Sequence, residues 1–185
     1  MTGEKNDCKA TKVSMNFIAE HIKKVALKLD TGSVSALVDS IMGAKKIFLM
    51  GAGRSGLAAK AFAMRLMHMG FHVHVVGETT APAVQPDDLV IAVSGSGETT
   101  SIASLGAISK KIGSKLATIT SNKDSTLGNI SDVVVIIPGG QTQLAPLGTV
   151  FEITALVFLD AVISELMVRT GASEAELKMQ HAVFE

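Results

Sequence analysis

At 185 residues, the chain is long enough to bury a hydrophobic core as one domain without disulfide staples. Its 17 basic residues balance its 17 acidic ones, which argues against a protein held on nucleic acid by a broad basic surface. Aromatic side chains are scarce, with seven Phe and neither Trp nor Tyr, so stacking platforms for bases or sugars are not expected.

The cysteine content and the apolar segments exclude further classes of protein. Cys8 has no partner for an internal disulfide, and no Cys/His spacing is typical of a zinc site. The most apolar segment, 150–168, carries Glu152, Asp160 and Glu165, which argues against a membrane span. The N-terminal stretch lacks the apolar region of a signal peptide. We therefore expect a cytoplasmic protein with neither a membrane nor a nucleic-acid partner.

Two helices are predicted before the first strand. Residues 12–30 place their apolar side chains on one helical face, and Ser33 is the expected N-cap of a second helix over 33–43. From residue 45 onward, strand-like and helix-like segments alternate. The predicted strands are 45–51, 71–77, 88–94, 115–121 and 132–138, and the helices between them are 55–70, 100–113 and a short one near 125–130.

Several of these strands are apolar on both faces, which is typical of a parallel sheet covered by helices on both sides. The predicted fold class is therefore α/β, a three-layer αβα sandwich around a five-stranded parallel sheet. We expect one domain over 1–185. It would hold N-terminal helices in 1–44, the α/β core in 45–138, and C-terminal helices with a polar tail in 146–185.

The segment 150–168 predicts a helix that is apolar nearly all round. Such a helix needs more partners than one face of a sheet offers. We therefore expect 150–168, together with the predicted helix 12–30, to pack between subunits.

Ligands of open parallel sheets bind beyond the carboxyl ends of the strands. Four predicted loops meet at that edge: 51–56, 77–88, 94–101 and 121–126. In the third, SGSGETTS, glycines and hydroxyls lie between a strand and a helix, where backbone N–H groups and the helix dipole favour an anion. Ser94, Ser96 and Thr99 are thus predicted to hold a phosphate, and the alternative is a capped turn without a ligand.

The loop GAGRSG, residues 51–56, leaves two interpretations open. It fits G-x-G-x-x-G after a strand, and Glu78 lies 22 residues beyond Gly56, where a dinucleotide site has its ribose-binding acid. However, Arg54 and Ser55 stand where a dinucleotide would pass closely, and the second phosphate-type loop would be surplus. We favour a small sugar phosphate that both loops contact.

Glu152 is the leading candidate for a general base. It follows a turn-rich stretch and opens an apolar helix, so it is expected beside the cleft; the alternative is a carboxylate that only complements the helix dipole. His181 lies in the polar C-terminal tail, and histidine is the residue type best suited to exchange protons near neutral pH, which makes His181 the second catalytic candidate. The other four histidines are interpreted as structural, namely His21, His68, His72 and His74.

Five motifs follow one another along the chain: MGAGRSG (50–56), VVGETTAPAV (75–84), VSGSGETTS (93–101), APLGTVFE (145–152) and HAVFE (181–185). In this order they resemble the SIS (sugar isomerase) family, and within it the 6-phospho-3-hexuloisomerases. SGSGET is specific for SIS domains as a class, and GETTAPAV together with the single-domain length points to the hexuloisomerase branch. The tail departs from the family, which usually ends closer to His-Ala-Asn-Leu-Glu.

This resemblance implies a flavodoxin-like or Rossmann-like SIS fold and a homotetramer built as a dimer of dimers. It implies that Glu152 is the catalytic base and that His181 is a catalytic residue serving a site across a subunit interface. The substrate-binding residues that it carries over are Arg54, Ser55, Ser94, Gly95, Ser96, Gly97, Glu98 and Thr99.

The implied reaction interconverts D-arabino-hex-3-ulose 6-phosphate and D-fructose 6-phosphate, a phosphorylated ketohexose, through a 2,3-enediol. Glu152 would carry the proton between C2 and C3, with no metal and no redox cofactor, and His181 would shuttle protons between O2 and O3. The alternatives are another sugar-phosphate aldose–ketose isomerase, a non-catalytic sugar-phosphate-binding protein and a nicotinamide oxidoreductase. Two pathway roles stay open, the ribulose monophosphate pathway of formaldehyde fixation and pentose phosphate synthesis.

Overall fold

The computed structural model describes residues 8–181 of the chain. Within them, five strands form one parallel sheet in the order β2-β1-β3-β4-β5, which confirms the predicted α/β fold class. The strands are β1 (Ile47–Gly51), β2 (Val73–Val75), β3 (Leu89–Val93), β4 (Lys115–Thr120) and β5 (Val133–Ile136). The helices are α1 (Lys9–Lys28), α2 (Thr31–Gly43), α3 (Gly53–His68), α4 (Thr100–Ile112), α5 (Thr126–Ile130), α6 (Thr149–Thr170) and α7 (Glu174–Met179).

Helices cover both faces of the sheet, and each face has its own apolar cluster. The larger cluster joins one face of the strands to α1, α2, α3 and α6, and Leu49 and Ile91 are among its fully buried residues. The smaller cluster joins the other face to α4 and α5, through residues such as Phe48, Val90 and Leu127. Successive strand residues point to opposite faces, so the continuous apolar runs in the sequence are buried on both sides.

Two local predictions are corrected by the structure. The second helix begins at Thr31 because the carboxylate of Asp30, not Ser33, caps it, accepting from Gly32 N–H at 3.1 Å and Ser33 N–H at 3.2 Å. The second strand is only the three residues of β2, whereas 71–77 was predicted. It lies at the sheet edge and pairs with β1 alone.

The apolar helix α6 finds its partners within its own chain. Nine of its residues are buried, and it packs against α3, α1 and α2. By contrast, α1 buries only Val25 among its residues and leaves Val13, Met15 and Leu27 exposed. The burial of α6 therefore does not require a second subunit, and packing of α1 and α6 between subunits stays a prediction.

The polar segment after α6 forms a short helix of its own. Ser173 and Glu176 make a capping box at the start of α7, in which each side chain bonds to the backbone N–H of the other residue. The helix α7 packs against α3.

Candidate active site

A cavity of about 670 Å³ opens at the carboxyl ends of β1, β3 and β4. The strand order puts β1 beside β3 and β3 beside β4, so the loops that follow these strands meet at one edge of the sheet. The segment between β5 and α6, with the first turn of α6, also lines the cavity. Five of the residues predicted from the sequence line it, namely Ser55, Gly95, Ser96, Thr99 and Glu152.

Ser94, which the sequence predicted as a phosphate-holding residue, does not itself line the cavity. It is 3% exposed, its backbone N–H donates to the carbonyl of Ile119 at 3.0 Å, and its hydroxyl lies 3.2 Å from Oγ1 of Thr99. Thr99 immediately precedes α4, and no side chain among the described residues caps that helix. Its first N–H groups and its dipole therefore point to a site suited to an anion, with the Ser96 and Thr99 hydroxyls beside it.

The loop can make its turn only with glycine at position 97. Gly97 has φ of +68°, in the left-handed region, and its N–H donates to the carbonyl of Ser94 at 3.1 Å. A Cβ at this position would overlap the Ser125 side chain, which caps α5. The loop therefore turns back directly against the start of α5.

Glu98 does not line the cavity, although the resemblance carries it over as a substrate-binding residue. Its carboxylate accepts hydrogen bonds from the backbone N–H and the hydroxyl of Thr126, both at 2.7 Å. The hydroxyl of Thr126, followed by its N–H, lowers the pKa of Glu98 below the ordinary value for a glutamate. Glu98 therefore joins the loop to α5 as an ionised carboxylate.

The loop after β1 contributes Ala52 and Ser55 to the cavity. Glu78, the acid that the dinucleotide interpretation requires, is engaged elsewhere: its carboxylate lies 2.7 Å from Nζ of Lys60, and this hydrogen bond lowers the pKa of Glu78. The structure thus pairs the required acid with a lysine of α3, and the sugar-phosphate interpretation of this loop is retained.

Glu152 lies in the first turn of α6, as predicted, and its side chain is 18% exposed. Its backbone N–H donates to the carbonyl of Gly148 at 2.9 Å. One carboxylate oxygen, Oε2, is 2.5 Å from Nε of Arg54, which stands in the first turn of α3. The sequence separates these two residues by 98 positions, and the fold brings them together at the cavity.

His181 is not brought to Glu152 within the described chain. Its ring stacks on that of His68 with centroids 5.1 Å apart, and His68 is the last residue of α3. The cavity lies at the other end of this helix, about 22 Å away at 1.5 Å per residue. The last four motif residues of the tail, 182–185, lie outside the described residues.

Several lining residues were missed by the sequence analysis. Ser121, directly after β4, donates its N–H and its hydroxyl to the carbonyl of Gly95, at 3.0 and 2.6 Å. It belongs to the loop 121–126, which was predicted at this edge, but it was not named as a candidate residue. Between β5 and α6, the motif APLGTVFE (145–152) includes the lining residues Leu147 and Gly148, whereas no motif marked the other lining residues of this segment, namely Pro138, Gly139, Gly140 and Gln141.

Within residues 8–181, no helix combines the length and the apolar character that a membrane crossing requires. In the same part of the chain, the His, Cys, Asp and Glu side chains form no group able to hold a metal ion.

Known proteins resemble the chain over nearly its whole length. It is 39% identical over 180 residues to a 3-hexulose-6-phosphate isomerase from Bacillus subtilis, covering 91% of this chain and 97% of that protein. It is 37% identical over 181 residues to a protein of the same name from Mycobacterium gastri, covering 93% and 90%.

A solved structure is also similar to the chain over most of its length. The crystal structure of a hypothetical protein from Methanococcus jannaschii, for which a 3-hexulose-6-phosphate isomerase function was inferred, matches with a TM-score of 0.86. That protein is 36% identical, and the match covers 92% of this chain and 98% of the other. The model of the SIS domain family matches residues 40–164, well over half of the sequence. The chain therefore belongs to the SIS domain family.

Proposed function

We propose that this protein is a sugar-phosphate isomerase that interconverts D-arabino-hex-3-ulose 6-phosphate and D-fructose 6-phosphate. One observation carries the proposal: Glu152 and the Ser/Thr loop line the same cavity, so a carboxylate and an anion site face one ligand. The relatives from Bacillus subtilis and Mycobacterium gastri, both named 3-hexulose-6-phosphate isomerase, support the same reaction. Their similarity extends over more than nine-tenths of this chain.

The phosphate of the substrate would bind at the start of α4. Neutral donors surround that point, from the hydroxyls of Ser96 and Thr99 to the N–H groups of the helix. Ser94 and Glu98 hold this loop in shape from outside the cavity. Binding the phosphate orients the remote carbons over the base and contributes positioning to the rate.

Glu152 would act as the base at the other side of the cavity. In the direction away from fructose 6-phosphate, it removes the proton from C3, and the C3–H electron pair forms the C2–C3 double bond of the enediol. The O3 proton is lost as the C3 carbonyl forms, and the C2 carbonyl oxygen gains one. Glu152 then returns its proton to C2. One carboxylate that reaches both carbons is sufficient for the proton transfer between C3 and C2.

The O2–O3 proton shuttle is the second role that the reaction requires, and we assign it to His181 of another subunit. Within one chain, His181 lies at the far end of α3 from the cavity, so only a neighbouring copy could supply it. The assembly consistent with this role is a homotetramer, a dimer of dimers. The exposed apolar residues of α1 are available for such contacts.

Proton NMR of fructose 6-phosphate with the protein in D₂O tests the proposal. Deuterium should enter at C3 while a 3-hexulose 6-phosphate appears. Exchange at C1 instead would indicate a 1,2-enediol and an aldose–ketose isomerase. If neither exchange nor product were observed, the protein would only bind sugar phosphates or would act on a different substrate.

The variant Glu152→Gln tests the assigned base, because it keeps the size of the side chain and removes its basicity. We expect kcat to fall by about 10²–10⁴-fold, the range for removal of a general base. Binding of fructose 6-phosphate should survive, because the phosphate donors are untouched. If the variant retained full exchange at C3, Glu152 would not be the base.

A further inference from the structure

Arg54 occupies a position that helix stability does not explain. It stands in the first turn of α3, where the positive end of the helix dipole disfavours a cation. Lys60 and Lys46, by comparison, are paired with carboxylates away from this helix end. The reason for an arginine at this point therefore lies in the contact that its guanidinium makes.

The contact is with Glu152, and it engages one oxygen of the carboxylate. Nε of Arg54 lies 2.5 Å from Oε2, and the side chains are 59% and 18% exposed. Glu152 lines the cavity, whereas Arg54 is not among the lining residues. The guanidinium therefore contacts Glu152 and does not line the cavity itself. The resemblance, by contrast, implies that Arg54 contacts the substrate.

The other oxygen, Oε1, lies over Gly148. A Cβ built on Gly148 would be 2.9 Å from Oε1 and 3.2 Å from Cδ of Glu152. Gly148 has φ of −84°, which any residue can adopt, so the glycine provides space and not a special backbone conformation. One oxygen is thus bound by Arg54, and the second has room because position 148 has no side chain.

We propose that Arg54 and Gly148 are positioning residues that orient Glu152, Arg54 by binding Oε2 and Gly148 by leaving room for Oε1. Oε1 is then the oxygen that transfers the proton. This inference rests on the proposed role of Glu152 as the base. Arg54 acts on the reaction through that carboxylate, and the substrate phosphate is held by the start of α4.

A double-mutant cycle tests this assignment in the full-length protein. The variants are Arg54→Gln, Glu152→Gln and the two combined, with Arg65→Gln, an exposed arginine of the same helix, as the matched control. Arg54→Gln should lower kcat by about 100-fold, the loss expected when a catalytic group is misplaced by roughly 1 Å, with KM nearly unchanged. The double variant should be no slower than Glu152→Gln alone, because Arg54 acts only through Glu152.

A binding measurement that does not depend on turnover completes the test. Calorimetric titration with inorganic phosphate should give the same Kd for Arg54→Gln as for the unaltered protein. A Kd weakened by about tenfold or more, equivalent to 1.4 kcal/mol, would make Arg54 a phosphate ligand and overturn the assignment. The assignment would also be overturned if the losses of kcat in the two single variants added in the double variant.

Gly148→Ala provides an independent variant that leaves the Arg54 side chain unchanged. It should lower kcat while preserving phosphate binding, and Gly43→Ala, where a Cβ meets nothing within 4 Å, should leave kcat unchanged. Full activity of Gly148→Ala would show that Oε1 does not need the space beside Gly148, and it would overturn the positioning role proposed for Gly148. Failure of the proposed function is seen separately, as absence of exchange at C3 in the unaltered protein.

Discussion

The carboxylate of Glu98 accepts hydrogen bonds from both the backbone N–H and the hydroxyl of Thr126, each at 2.7 Å. This contact joins the Ser/Thr loop after β3 to the start of α5. The acidic residue of the SGSGET motif therefore shapes the anion site without lining it. Its carboxylate is hydrogen-bonded to Thr126 and is not part of the cavity wall.

Removal of this link should weaken substrate binding more than catalysis. We expect Thr126→Val and Glu98→Gln to raise KM for the sugar phosphate severalfold with a smaller change in kcat, because the displaced loop misaligns the donors of Ser96 and Thr99. Steady-state kinetics would measure both constants. Glu174→Gln, which alters an exposed carboxylate of α7, is the control. A selective loss of kcat would instead give Glu98 a role in the chemistry.

Gly97→Ala should destabilise the fold as well as the loop. Alanine is strained at φ of +68°, and its methyl group would overlap the Ser125 side chain. We expect a loss of about 2 kcal/mol or more in the free energy of unfolding, measured by urea denaturation. Gly43→Ala, at the end of α2, should change stability by less than about 1 kcal/mol and in the stabilising direction. Equal effects of the two substitutions would contradict this account.

Asp132 should contribute stability that depends on pH. Partial burial alone would raise the pKa of its carboxyl, but the N–H of Leu116 and the ammonium of Lys110 outweigh burial and lower it. The Leu116 N–H lies 2.8 Å from Oδ2, and Nζ of Lys110 lies 2.6 Å from Oδ1. A carboxyl whose pKa is lower in the folded state stabilises the fold above its unfolded pKa, and this contribution is lost as pH falls through the folded pKa.

Asp132→Asn measures that contribution. At neutral pH, we expect it to cost about 0.5–1 kcal/mol in the free energy of unfolding, since the pair with Lys110 is partly exposed and solvent screens it. The deficit should shrink toward zero as the pH is lowered below about 4. Asp160→Asn, on the exposed side of α6, is the control and should cost little stability at neutral pH. A deficit that persisted at low pH would have to come from packing.

Mixing two inactive variants can reveal whether His181 serves a neighbouring subunit. Glu152→Gln and His181→Ala, co-expressed in equal amounts, should regain about a quarter of the unaltered activity if each site takes its glutamate and histidine from different copies. The expected fraction is the product of the two one-half probabilities. Each variant alone should stay nearly inactive. No recovery in demonstrably mixed oligomers would mean that His181 does not act across subunits.

The sequence by itself determined the alternation of strands and helices and the loops that carry the site. Apolar runs, glycines and hydroxyls are local signals, so Ser96 and Thr99 could be recognised as anion donors from their place between β3 and α4. Glu152 could be found for the same reason, as a lone carboxylate opening the apolar helix α6. All three line the cavity.

Only the tertiary structure decided which residues share a contact. The strand order brings Arg54 to Glu152 across 98 positions, turns Glu98 toward Thr126, and leaves His181 on His68 at the opposite end of α3. These relationships depend on how the layers pack around the sheet, and no local pattern encodes a pairing between distant segments. The chemistry of each loop is therefore a property of the sequence, whereas the orientation of the proposed base is a property of the fold.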